Sequence, residues 1–122
     1  MDAPSTPLND SDSSQADNYF SLELARSYWS SDEKVKGYVL TFIDQYGDLL
    51  QSLQGDSADL SFELVHKIKG ASSVLGMPML TETLSHLEGH LRNEKALTKE
   101  QLSQLKSVWI ETHLVARNAL HN

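Results

Sequence analysis

Cysteine is absent from all 122 residues, which excludes disulfides, thiolate chemistry and Cys-based zinc sites. Proline occurs three times and aromatic residues make up 7%, a composition that suits a small helical bundle better than a turn-rich β-sandwich. Basic residues are outnumbered, ten Lys and Arg against seventeen Asp and Glu. The formal net charge of −7 argues against nucleic acid or an anionic membrane surface as the main partner. No apolar run approaches the roughly 20 residues needed to span a bilayer. The stretch from Met1 to Asp10 has neither the basic nor the apolar region of a secretory signal. The expectation is a cytoplasmic module without direct membrane contact, whose parent chain is free to be attached to an inner membrane.

What the chain does have is helical periodicity. Residues 1–17, rich in Ser, Asp and Pro, read as a disordered tail or interdomain linker, and residues 18–122 as one domain. Phe20, Leu22, Leu24, Tyr28 and Trp29 mark a short first helix, with Asn18 as a candidate cap. A second helix, capped by Ser31 or Asp32, carries Val35, Val39, Phe42, Tyr46, Leu49 and Leu53 on one stripe. Gly55 ends it, and Asp56 or Ser57 starts a third helix that runs to Gly76. Gly76-Met77-Pro78 is a turn into a fourth helix with Leu80, Leu84, Leu87 and Leu91 buried. Thr98 and Gln101 form a capping box for a fifth, whose inner face is Leu102, Leu105, Trp109, Thr112, Ala116 and Ala119. Short connections favour antiparallel neighbours, so the fold class is all-α: an up-down-up-down four-helix bundle with a short additional N-terminal helix.

The third helix has two distinct surfaces. Leu64, Val65, Ile68, Ser72 and Leu75 fall on the core-facing half of the wheel. On the other half Lys69 lies about 60° from His66, and Gly70 about 40° to the opposite side. A helical glycine costs about 1 kcal/mol relative to alanine, and one that points outward beside a histidine is best explained by access. A neutral imidazole nitrogen is a competent nucleophile near pH 7, because its unperturbed pKa is about 6.5. Phosphoryl transfer asks mainly for positioning and charge stabilisation, which a nearby ammonium and an open face supply.

His66-x-x-Lys69-Gly70 followed by Leu75-Gly76 resembles the signature of histidine-containing phosphotransfer (HPt) domains of bacterial multistep two-component phosphorelays. The likeness extends to the acidic start at Ser31-Asp32-Glu33, the stripe from Val35 to Leu53 and the Leu84-x-x-Leu87-Glu88 helix, and covers residues 20 to about 120. It implies that His66 accepts a phosphoryl group from a receiver-domain phospho-aspartate and passes it to a response regulator. Lys69 would then neutralise phosphoryl oxygens and Gly70 would clear the approach. A polar residue in the neighbouring helix often contacts the histidine in that family, and Glu88 matches the position. On the wheel Glu88 lies about 70° from the centre of the leucine stripe, at its flank. Its other reading is an ordinary boundary glutamate. Phe62 and Ser73 are the expected partner contacts, and the alternative for Phe62 is packing at the bundle edge under the second helix. The resemblance also implies that the domain itself holds no cofactor and that Mg²⁺ belongs to the partner receiver.

The isolated domain is expected to be monomeric, with receiver domains as partners, and the linker-like start suits the C-terminal module of a hybrid sensor histidine kinase, while Met1 equally suits the start of a free-standing HPt protein. No glycine-rich ATP-binding loop is present, so the domain is a phosphotransfer intermediate and not a kinase by itself. The competing reading is a non-catalytic helical adaptor or a His-dependent metal-binding bundle. His86 and His90, at i and i+4, have the spacing for a shared metal, but the sequence places no third ligand. His113 and His121 are assigned no role.

Overall fold

A computed structural model describes residues 16–53 and 60–121. After a helical turn at residues 16–19, five helices follow: α1 (Leu22–Arg26), α2 (Asp32–Gln51), α3 (Phe62–Val74), α4 (Pro78–Arg92) and α5 (Lys99–Ala119). No strand occurs among the described residues.

The caps follow from side chains that satisfy the free amides of a first turn. Ser31, Ser61 and Thr98 accept from Lys34, Leu64 and Gln101 at 3.2, 3.1 and 3.1 Å. The Gln101 side chain returns a bond to Thr98, completing the capping box. Ser21, not Asn18, caps α1, because the helix begins three residues later than the first aromatic cluster implies. Gly55, Asp56 and Ser57 lie outside the described residues; α3 itself starts at Phe62, behind the Ser61 cap, and ends at Val74 instead of Gly76.

Four helices close the bundle. α3 packs on α4, α4 on α5 and α5 on α2. The Trp29 indole N–H, just before α2, donates to the Val74 carbonyl at the end of α3 at 2.8 Å, so these two run antiparallel. Lys36 and Val39, early in α2, share a groove with Ala116 and Leu120 at the end of α5, which makes that pair antiparallel as well. Trp109, fully buried, sits at the centre against Phe42 with ring centroids 5.7 Å apart. The buried stripe of α2 is wider than its spacing predicts: Leu50 is fully buried, whereas Leu49 is half-buried. Leu64 and Leu91 are also only half-buried, and Ala119 is exposed on the last turn of α5.

Buried hydroxyls are satisfied locally. Thr112 and Thr83 donate to the carbonyls one turn back at 2.7 and 2.8 Å, and Ser72 meets Thr81 across the α3–α4 interface at 2.7 Å. Trp109 Nε1 is the exception, buried without a hydrogen-bond partner among the described residues. His113 lies flat on the Trp109 ring, 5.3 Å away, and its Nε2 accepts from Arg117 Nε at 2.8 Å. Burial, and then the Arg117 charge, hold its pKa below the usual imidazole range.

The turn between α3 and α4 requires glycine. Gly76 has φ +74°, and a Cβ there would collide with the Ser21 carbonyl and crowd Ala25 at 3.2 Å. In return Ser21 N–H donates to the Gly76 carbonyl at 2.8 Å, so α1 is seated on this corner. The Arg26 guanidinium, paired with Asp32 at 2.6 and 3.1 Å, closes the link from α1 to α2.

Candidate functional site

α3 presents His66 on its outward face, with 63% of the side-chain surface exposed. Directly behind the ring, α4 delivers Glu88, whose side chain is 5% exposed. The wheel had put Glu88 at the flank of the leucine stripe. It is buried because α4 is covered by α3 on one side and α5 on the other, so its hidden arc is broader than the leucines alone.

A carboxylate taken out of water needs partners, and Glu88 has three. Oε2 is hydrogen-bonded to His66 Nδ1, Oε1 accepts from Lys69 Nζ at 2.7 Å, and Arg92, one turn along α4, brings a guanidinium nitrogen to 3.7 Å. The Lys69 hydrogen bond, followed by that of His66, holds the Glu88 carboxyl below its usual range in spite of burial. Glu88 is therefore an anion near neutral pH. An ionised carboxylate only accepts, so in the neutral ring Nδ1 of His66 is the protonated nitrogen and Nε2 carries the lone pair. Among the described residues nothing binds Nε2.

Lys69 departs from the expectation of a freely exposed ammonium. Its side chain is 26% exposed and its charge is tied to Glu88, because the buried anion is the strongest attractor within reach of its stem. Gly70 does point into open space: a Cβ there would meet nothing within 4 Å. Ser73, half-buried, donates to the Gly70 carbonyl at 2.7 Å. Phe62 opens α3 half-buried, with its ring stacked on His66 at 6.0 Å and 12° between planes. The Arg92 guanidinium also lies over the Phe62 ring, 5.5 Å from its centroid.

Sequence reasoning missed Arg92. The signal was available, since Arg92 follows Glu88 by four residues in the last turn of α4, where a cation is favoured. His86 is exposed and His90 half-exposed, and no group of three or more His, Cys, Asp or Glu side chains suited to a metal occurs among the described residues. No described helix is long and apolar enough to cross a membrane.

Taken together, the arrangement is one imidazole whose Nε2 is unbound, oriented from behind by an anion and flanked by two cations and an open stretch of helix. Such a group can attack a phosphorus centre and hold the product. Comparison with curated proteins and with solved structures finds no match. The family model described as Hpt domain matches residues 37–114, more than half of the chain and the stretch that contains α3, α4 and most of α2 and α5. The chain therefore belongs to the Hpt domain family, the phosphotransfer modules of two-component phosphorelays that interact with receiver domains.

Proposed function

We propose that His66 is the phosphoryl carrier of this module, taking the group from a phospho-aspartate on one receiver domain and passing it to the receiver of a response regulator. The observation that carries this reading is the buried Glu88 carboxylate on Nδ1, which leaves Nε2 as the nucleophile. In the transfer the P–O bond of the acyl phosphate breaks and the Nε2–P bond forms. The aspartate leaves as a carboxylate, and the Nδ1 proton stays in place. The phosphorylated ring is then a cation, and Glu88 lies against it.

Lys69 has two effects in this scheme. By bonding the other oxygen it makes Glu88 a weak base, so the ring keeps its proton. A protonated ring is the better leaving group, which suits a carrier that must give the phosphoryl group away. Lys69 also stands one turn from His66, where it can share its charge with phosphoryl oxygens, and Gly70 leaves the approach open. Arg92 adds a second cation on the Phe62 side. Mg²⁺ belongs to the receiver in this scheme, where it neutralises the phospho-aspartate. In a hybrid sensor kinase the donor would be that kinase's own receiver.

The test is incubation with a panel of purified receiver domains phosphorylated by acetyl phosphate and Mg²⁺. Label on the wild-type chain should be acid-labile and base-stable, and His66→Gln should take none. Equal labelling of both chains would sink the assignment.

A further inference from the structure

A groove of about 450 Å³ opens beside the histidine site, and one of its walls comes from outside the four-helix bundle. α3 and α4 line it with Lys69, Ser73, Pro78, Thr81, Glu82 and Ser85, and α1 contributes Leu24, an aliphatic side chain left 39% exposed. A five-residue helix has no stability of its own, so the position of Leu24 depends on what holds α1. Three contacts do so: Ser21 N–H on the Gly76 carbonyl, Trp29 Nε1 on the Val74 carbonyl, and the fully buried Ala25 against the Cβ-free face of Gly76. Leu24 is thus presented to the groove by a rigid corner.

We propose that this groove is the part of the receiver-docking surface that discriminates among receivers, with Leu24 packing against an aliphatic side chain of the incoming domain. The proposal rests on the reading of His66 as phosphoryl acceptor. A phospho-aspartate must come within about 3.5 Å of Nε2 to react, which centres the partner over His66. A domain of ordinary contact size covers about 800 Å² per side, a disc of about 16 Å radius, and even a weak one covers about 600 Å², or 14 Å. Ser73 is seven residues along α3, about 10 Å from His66 at 1.5 Å per residue, so the groove falls inside either footprint.

Continuity points the same way, because Lys69 belongs both to the groove and to the Glu88 ion pair. The lining is apolar at Leu24 and Pro78, hydroxylic at Ser73 and Ser85, and charged at Lys69 and Glu82. That fits an aliphatic ridge flanked by polar groups. The family match begins at residue 37, so α1 lies outside the matched stretch. An element beyond that stretch can vary without disturbing the transfer chemistry, which is the property that a discriminating contact needs.

Two assays separate this proposal from the reading it rests on. Phosphoramidate labels histidine without docking: its P–N bond breaks, ammonia leaves and the Nε2–P bond forms. The second assay is transfer from whichever receiver of the panel reacts fastest with the wild-type chain. Leu24→Asp should raise the half-saturating receiver concentration about tenfold, and Leu24→Ala about threefold, as expected for loss of one apolar anchor. Maximal transfer rate and phosphoramidate labelling should stay within about twofold, since neither depends on this contact. Unchanged half-saturation in Leu24→Asp would overturn the groove assignment and leave His66 standing. A fall in maximal rate alone would overturn it too, by moving Leu24 into the chemistry. Phosphoramidate labelling that survives His66→Gln would instead remove the reading underneath.

Discussion

Two histidines in this molecule are built alike and put to opposite use. His66 stacks on the aromatic residue four positions before it, Phe62, and His113 does the same on Trp109. The difference lies in the second partner. A carboxylate on Nδ1 of His66 takes that nitrogen's proton bond and leaves the Nε2 lone pair facing solvent. A guanidinium on Nε2 of His113 consumes the lone pair itself. The same tautomer results at both places, but only one ring has a free electron pair. A helical histidine on an aromatic neighbour is therefore uninformative until the charge of its other partner is known.

The contrast breaks first at the aromatic partners. Trp109→Ala should cost about 3–5 kcal/mol, measured as the shift in urea unfolding free energy, because it empties the centre of the bundle. Phe62→Ala, at the half-buried start of α3, should cost less than about 1 kcal/mol by the same measurement. Equal losses would show that the two stacks are structurally equivalent.

Next in size is Glu88→Gln. The amide still accepts from Nδ1 but no longer counters a cationic ring, so stopped-flow transfer from a phosphorylated receiver should slow about tenfold, the equivalent of one pKa unit of lost charge stabilisation. Acid should reveal the same group. The Glu88 carboxyl titrates lower in the folded chain than in the unfolded one, where its pKa is about 4.3. Its stabilising contribution is therefore complete above that value and is lost as pH falls through the lowered folded-state pKa. The gap in urea midpoint between wild type and Glu88→Gln should therefore close as the solution is made more acid than about pH 4, on the scale of those reference values. A gap that widens in acid would contradict the pairing.

Smaller effects sharpen the comparison. Arg92→Gln should shorten the lifetime of the phosphorylated chain by about two- to fivefold, the size expected for one exposed charge, as followed by loss of label. Arg117→Gln should raise the His113 pKa part of the way in an NMR titration, because burial, the larger cause, remains. A complete return to the ordinary imidazole value would make Arg117 the dominant influence.

The bundle was legible because its apolar positions recur with the helical period, and the Ser31 and Thr98 caps lie where short side chains precede a periodic run. The outward placement of His66 and Gly70 followed from the same wheel. Glu88 and Lys69 show where that reasoning stops. A wheel describes one helix, whereas the burial of Glu88 depends on two neighbours and the posture of Lys69 on a charge presented by another helix. The i,i+4 spacing of Arg92 to Glu88 could be read within α4, but its contact with Phe62 could not, since that ring belongs to α3. The short α1 was placed by Gly76, more than fifty positions away in the chain, and no local pattern announces such a contact.

That corner bears on where the working unit starts. Sequence similarity marks residue 37 as the beginning of the shared stretch, yet a chain cut there would lose the Ser31 cap of α2, the Trp29 bond to Val74 and the cover over Gly76. The exposed carbonyls of Val74 and Gly76 would then have to find water at the point where α3 turns into α4. The boundary of recognisable ancestry and the boundary of mechanical completeness differ here by about one short helix, and it is the second that a transplanted or shortened version would have to respect.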